Sequence, residues 1–271
     1  MSRRIAGTTV RDALDSARIP LTAAGCGNPR LDAELLLAAA MGVDRAMLFA
    51  HPDRELDGDA TRAFMNAVRR RREREPVAYI LGMKGFRHLD LQVDRRVLIP
   101  RPETEHLVEA ALQLPRGARV ADVGTGSGAV ALALKDERPD LELFATDVSK
   151  DALDVARANA RRLGLDVTFV EGDLLAGLEV DAVVSNPPYV EEGASLMPEV
   201  GRWEPPLALY GEDDGLAVIR RLVQVDVPFL ALEHGGGQAD AIEALARAAG
   251  FDQVERIRDL AGIERVLVAR R

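Results

Sequence analysis

Two short stretches of this chain of 271 residues bring together groups whose types and spacing suit chemistry. The first is Ser185-Asn186-Pro187-Pro188-Tyr189. Two consecutive prolines fix the backbone and remove two amide donors. The Asn186 amide oxygen and the Pro187 carbonyl then stand as neighbouring acceptors. Such a pair suits an –NH₂ on a planar group, because each acceptor takes one N–H and the nitrogen is held with a defined face toward an electrophile. Amide and exocyclic amino nitrogens are weak nucleophiles, since their lone pairs are delocalised. Accepting both hydrogens raises electron density on nitrogen and favours pyramidalisation, and fixed orientation supplies much of the remaining rate. Tyr189 can pack flat against the planar group. Hydride transfer has no use for this arrangement. A proline-rich loop without chemical meaning is the plain alternative, and its position at the end of a strand pattern argues against it.

The second stretch is Asp122-Val123-Gly124-Thr125-Gly126-Ser127-Gly128, which follows one strand pattern and opens a helical one. Glycines there allow a tight strand-to-helix turn and a close approach of backbone to ligand. Gly124, Gly126 and Ala129 satisfy the dinucleotide pattern G-x-G-x-x-A. Asp147 ends the next strand pattern, 19 residues past Gly128, where a carboxylate can accept both hydroxyls of a ribose. NAD and S-adenosylmethionine fit these residues equally, so a nucleoside-type ligand is expected and its identity stays open at this point.

Other candidates are weaker. The histidines His51, His88, His106 and His234 show no metal-site spacing. Glu103, Glu105 and His106 read as a solvated helix start, Glu233-His234 as a strand end bordering a pocket, and Trp203 as a packing anchor for the loop after Tyr189. Cys26 is the only cysteine; it permits no internal disulfide, fits a reducing cytosol and supplies no thiolate cluster.

The elements that must hold these groups alternate. Arg119–Val123, Glu142–Thr146, 167–170, 181–185 and 228–233 are apolar or β-branched runs. Helical patterns at 130–135, Lys150–Leu163, 215–225 and 239–249 lie between most of them, which predicts a parallel sheet covered on both faces. The tail adds strand patterns at 251–257 and 264–269 with no helix between, so the last strand is expected to be antiparallel. The first 75 residues read as helices, with Asn28-Pro29 as a start, Gly42 as a stop and Asp44 as a cap for a short helix. Another helix spans Thr61 to Arg74, where Arg69–Arg72 read as a solvated face rather than a contact surface for an acidic partner or RNA. Pro76 stops that helix. Tyr79–Gly82 and Leu89–Val93 read as two strands around a turn at Lys84-Gly85.

Composition narrows the function. The longest uncharged run, Val123 to Leu134, is interrupted by three glycines and is too short to span a bilayer. The N-terminal MSRRIAGTTVRDAL has charges but no apolar segment behind them, so no secretory signal is expected. Net charge is −9, but residues 1–75 carry 13 Lys/Arg against 11 Asp/Glu while the remainder carries 22 against 33. An acidic larger part counts against nucleic acid as the main partner.

Several segments together resemble one family. They are EPVAYILG (75–82), VLIPRPETEHLVE (97–109), DVGTGSGAVALAL (122–134), TDVSKDALDVARANARRLGL (146–165), EGDLL (171–175), SNPPYV (185–190), EPPLALYGEDDGL (204–216) and DLAGIERV (259–266). From about Leu31 to the C-terminus the chain resembles the release factor glutamine N5-methyltransferases, the HemK/PrmC family, which use S-adenosylmethionine. The asparagine-proline-proline-tyrosine element alone is shared with DNA adenine and RNA base methyltransferases; its combination with IPRPETE is far more specific.

The resemblance implies that Gly124, Thr125, Gly126, Ser127 and Gly128 hold the methionine part of the cofactor. Asp147 would bind its ribose, Asp173 and Leu174 would flank adenine, and Asn186 would border the same site. Asn186 and Pro187 would grip a glutamine amide, with Pro188 and Tyr189 lining its slot and Phe86 and Arg101–Glu105 closing the pocket. Asn186, Pro187 and Tyr189 are thus the catalytic candidates, S-adenosyl-L-homocysteine is the implied product, and no metal is expected. The chain departs from the family at Gly85, where a glutamate is usual, and in the short connection from Leu222 to Pro228.

The expected fold is α/β: a Rossmann-like, seven-stranded methyltransferase domain (101–271, last strand antiparallel), preceded by a small N-terminal helical bundle (1–75) for substrate docking and a β-hairpin linker (76–100). The implied partners are class 1 peptide chain release factors in the cytoplasm, met by a monomer that binds no membrane. The alternatives are N-methylation of adenine in nucleic acid, of glutamine in a ribosomal protein, or cofactor binding without catalysis.

Overall fold

The computed structural model describes residues 8–271; the expectation for the N-terminal stretch falls partly on residues 1–7, outside them. The described chain divides into two compact units, one running through Gly82 together with Met197–Trp203, the other comprising Met83–Leu196 and Glu204–Arg271. Among the described residues, no helix is long and apolar enough to cross a membrane.

Helix starts in the first unit follow from side chains that satisfy free amides. Thr9 and Asp12 form a capping box ahead of α1 (Val10–Ala23). Asn28 accepts from the Leu31 N–H and Pro29 opens α2 (Pro29–Met41), which Gly42 ends at φ 63°. Asp44 precedes α3 (Arg45–Ala50), but its side chain makes no cap bond. Asp57 caps α4 (Gly58–Arg72). The expected strand at Tyr79–Gly82 is instead the helix α5 (Val77–Leu81), ended by Gly82 at φ 72°. Pro76 suits a helix start, and Val77, Ile80 and Leu81 pack on the helical core rather than pairing as a strand.

Arginines of α4 correct a second expectation. Arg69 and Arg72 are exposed, but Arg71 is buried. It lies seven positions after buried Phe64, on the same helical face. Its Nε donates to Asp32 Oδ2 at 2.7 Å, its Nη2 to Glu199 Oε1 at 2.7 Å and its Nη1 to the Glu75 carbonyl at 3.2 Å. Arg74 pairs with the same Glu199, and the two guanidinium groups hold the Glu199 carboxyl down at about 2 against burial. Arg71→Met would strand the Asp32 carboxylate and leave Glu199 to Arg74 alone, so a loss of about 3–5 kcal/mol in unfolding free energy is expected, read by chemical denaturation.

In the second unit a hairpin comes first: β1 (Met83–Phe86) and β2 (Leu89–Gln92), with Phe86 facing Leu89. The turn is therefore Arg87-His88, with Arg87 at φ 49°, and the expected turn residues Lys84-Gly85 lie within the strand. Then follow α6 (Glu105–Ala111), β3 (Arg119–Val123), α7 (Ala129–Glu137), β4 (Glu142–Asp147), α8 (Lys150–Leu163), β5 (Thr168–Glu171) and β6 (Ala182–Ser185). After α9 (Pro198–Gly201), which belongs with the first unit, come α10 (Ala217–Leu222), β7 (Phe229–Glu233), α11 (Ala239–Ala248), β8 (Gln253–Arg258) and β9 (Glu264–Arg270). The sheet order is β5-β4-β3-β6-β7-β9-β8, parallel except for β9, which is antiparallel to both neighbours.

Side chains alternate across the sheet with the two-residue strand period. Val120, Leu143, Val184 and Val268 join Leu107, Val108, Leu132 and Leu134 on one face. Ala121, Val183, Leu230 and Leu267 join Ile219, Leu222, Ile242 and Phe251 on the other. Strands covered on both faces must be apolar almost throughout, which is why the alternation was legible. Strand order reverses between β3 and β6, and the carboxyl ends there form the crevice where open α/β sheets take ligands.

Candidate active site

The turn leaving β3 is built from three glycines with positive φ, Gly124 at 73°, Gly126 at 55° and Gly128 at 84°. A Cβ on Gly124 or Gly126 would meet nothing within 4 Å, whereas one on Gly128 would come within 2.9 Å of Leu132 Cδ1. The first two therefore leave room for a ligand against bare backbone, and the third lets the next helix pack closely. Asp122 ties the turn from below, accepting from Thr125 Oγ1 at 2.7 Å and from the Ala131 N–H at 3.1 Å. Its burial raises its pKa to about 6.

Asp147 ends β4. Its Oδ2 accepts from the Gly126 N–H at 3.0 Å and its Oδ1 from the Ser149 N–H at 2.8 Å; burial pushes its pKa up against these bonds. Each carboxylate oxygen keeps a further acceptor site. After β5, Asp173 pairs with Arg221, and Leu174, at φ 49°, accepts from Thr146 Oγ1 through its carbonyl at 2.6 Å.

At the end of β6, Ser185 Oγ donates to the Val123 carbonyl at 2.7 Å and so locks the two central strand ends together. Asn186 Nδ2 donates to Thr104 Oγ1 at 3.2 Å, leaving Oδ1 as the unused acceptor of that amide. Tyr189 is half-buried, and its hydroxyl donates to Glu233 Oε1 at 3.2 Å; burial and the Glu233 charge raise the pKa of that hydroxyl. Burial pushes Glu233 itself to about 7, opposed by the Thr104 and Tyr189 hydroxyls. The loop is braced from outside by two glycines. A Cβ on Gly211 would lie 2.6 Å from the Pro188 carbonyl, and one on Gly215 would lie 2.2 Å from that of Tyr189.

A cavity of about 540 Å³ gathers most of the expected residues: Gly124, Thr125, Gly126, Ser127, Asp147, Asp173, Leu174, Asn186 and Pro188 line it. Val97, Pro100, Val130, Val148 and Leu207 add apolar walls. Gly128, Pro187 and Tyr189 do not line it. Nor does Phe86, expected to close the pocket; it is buried in the core with Leu89 and Leu91, because its strand turns that side toward the helices. Of the segment Arg101–Glu105 only Thr104 reaches the cavity. Arg101 pairs with Glu204 at 2.5 Å, while Glu105 accepts from the Arg87 N–H at 3.2 Å.

Three contributors, Glu204, Gly211 and Gly215, carry no signal of a site in the sequence, and Thr104 was expected only as part of the segment Arg101–Glu105. Within that segment nothing singled Thr104 out from the helix-start acids around it, although it is the lone hydroxyl of the run. Glu204 is buried and accepts from the Ile99 N–H at 3.2 Å, fixing the segment that leads to Thr104. Gly211 and Gly215 act through backbone contacts that no local pattern announces.

Two family models match this chain: the PrmC N-terminal domain over residues 12–82 and the methyltransferase small domain over residues 103–200. Among curated proteins, a release factor glutamine methyltransferase from Koribacter versatilis is 42% identical, over 97% of this chain and 99% of its own length. One of the same name from Mycolicibacterium smegmatis is 42% identical, over 97% of this chain and 98% of its own. Among solved structures, a methyltransferase from Pyrococcus furiosus shares the fold with a TM-score of 0.52 and 19% identity, over 69% of this chain and 91% of that one.

Proposed function

The chain belongs to the family of release factor glutamine methyltransferases, and from that premise we propose that it transfers a methyl group from S-adenosylmethionine to the side-chain amide nitrogen of the glutamine in the Gly-Gly-Gln loop of class 1 release factors. The observation that carries this reading is the Asn186 amide, tethered through Nδ2 to buried Thr104 and lining the same cavity as the glycine turn.

The residues suit the cofactor. The space over Gly124 and Gly126 and the acceptor sites left on Asp147 match a methionine chain and a ribose, and the volume falls in the usual range for such a ligand. Bound S-adenosylmethionine supplies a methyl group on a sulfonium, an electrophile that needs no metal to activate it. Gly124–Gly128 would hold the methionine part, Asp147 the ribose hydroxyls, and Asp173 and Leu174 the adenine edge.

The remaining work falls to the loop after β6. Asn186 Oδ1 and the Pro187 carbonyl accept one hydrogen each from the glutamine –NH₂ and aim its lone pair. Pro188 borders the cavity, and Tyr189 buttresses the slot through its bond to Glu233. A general base is not required before transfer, because the methylated nitrogen then gives up one proton to water. The helical unit, matched by the family's N-terminal domain model, would dock the release factor in the cytoplasm, where translation terminates, and the enzyme would act as a monomer.

Release factor incubated with the protein and S-adenosylmethionine should gain the mass of one methyl group on the glutamine-bearing peptide, read by tandem mass spectrometry. Absence of that gain, with methylation of nucleic acid or a ribosomal protein when either is supplied instead, would defeat the assignment.

A further inference from the structure

An asparagine amide can turn half a rotation about its last bond and exchange its acceptor for a pair of donors. A grip that depends on Oδ1 therefore needs something to hold the orientation. Asn186 Nδ2 lies 3.2 Å from Thr104 Oγ1, and Thr104 is buried at 4% exposure. A hydroxyl has one proton and two acceptor sites, so the direction of this bond depends on where the Thr104 proton goes. The Glu233 carboxyl stands beside it, 1% exposed, and the Thr104 hydroxyl favours its ionised form. Glu233 Oε1 takes the Tyr189 hydroxyl at 3.2 Å, while Oε2 is buried without a well-formed hydrogen bond. That leaves a strong buried acceptor available to the threonine proton.

We propose that Thr104 and Glu233 are positioning residues for the methyl transfer: Glu233 draws the Thr104 proton, Thr104 Oγ1 accepts from Asn186 Nδ2, and Asn186 Oδ1 is thereby left to the substrate amide. This rests on the reading that Asn186 grips the glutamine. Protonating Glu233 reverses the chain of donors. The carboxylic acid then donates to Thr104, the threonine proton becomes free for Asn186 Oδ1, and the –NH₂ turns toward a substrate that is itself a donor. Among the groups around Glu233, the Glu103 carboxylate opposes its ionisation and the Arg265 guanidinium supports it. Tyr189 stays protonated, and His234, the next residue, is kept neutral by burial while its Nδ1 bonds the Gly235 carbonyl at 2.9 Å.

The test compares Thr104→Val, Thr104→Ser, Glu233→Gln and Asn186→Ala in the full chain with intact release factor. Thr104→Val should lower kcat about tenfold or more, with KM and calorimetric affinity for S-adenosylhomocysteine little changed, and Thr104→Ser should restore most of the rate. The wild-type kcat should rise with pH through about 7, and Glu233→Gln, a neutral group at every pH, should abolish that rise. Should Thr104→Val turn over normally, Thr104→Ser be as slow as the valine variant, or the rise survive in Glu233→Gln while Asn186→Ala is inactive, the relay is wrong and the grip stands. A fully active Asn186→Ala would overturn the grip itself.

Discussion

Replacing Asn186 by alanine is expected to lower kcat for glutamine methylation by about 10²–10³, while affinity for S-adenosylhomocysteine stays within a few-fold. On the proposed reading the side chain supplies one of two acceptors for the nitrogen, and the other, a backbone carbonyl between two prolines, cannot turn to compensate. Losing one acceptor frees an N–H of the substrate to rotate, so both orientation and the push on the lone pair are lost together. The cofactor contacts proposed for the turn after β3 and for Asp147 do not depend on the Asn186 amide. Single-turnover kinetics beside calorimetry separates the two effects. A variant that binds normally and still turns over at near wild-type rate would refute the gripping role.

How much of this was readable beforehand depends on whether a residue's partner lies nearby in sequence. The sheet was legible because β3, β4, β6 and β7 are buried on both faces, and a doubly buried strand leaves a dense apolar run of strand length. The glycine turn was legible because all its parts, from Asp122 to Ala129, lie in one unbroken stretch of sequence. Tyr79–Leu81 misled because three apolar residues carry no period; only Pro76 before them and the helical core beneath them decide the matter. Arg71 misled because one guanidinium in a run of four turns inward, and the carboxylates that receive it, Asp32 and Glu199, lie 39 and 128 positions away. Thr104 is the same case at the site: its partner Asn186 is 82 positions distant, and only the alignment of the β6 end with the start of α6 makes them neighbours. Residues whose partner is backbone brought in from elsewhere, such as Gly215, leave no mark at all.

Asp147→Ala should weaken S-adenosylmethionine binding by about 10²–10⁴, since the two hydrogen bonds to a charged acceptor contribute roughly 1.5–3 kcal/mol each, and it should do so with kcat at saturating cofactor reduced far less. The carboxylate has two tasks, and comparing affinity with melting temperature tells them apart. Its oxygens hold the Gly126 and Ser149 amides, which shapes the turn, and on the present proposal they also receive the ribose hydroxyls. Asp147→Asn keeps an acceptor for one of the two backbone amides, while its –NH₂ faces the other backbone N–H as well as a hydroxyl that must donate. A role confined to bracing the turn predicts that both variants lose affinity only in proportion to their loss of unliganded melting temperature. A ribose contact predicts that both variants lose far more affinity than their fall in unliganded melting temperature accounts for. The burial that raises the Asp147 pKa sharpens the contrast, because a carboxylate held in such surroundings is worth most to a ligand that can donate to it twice.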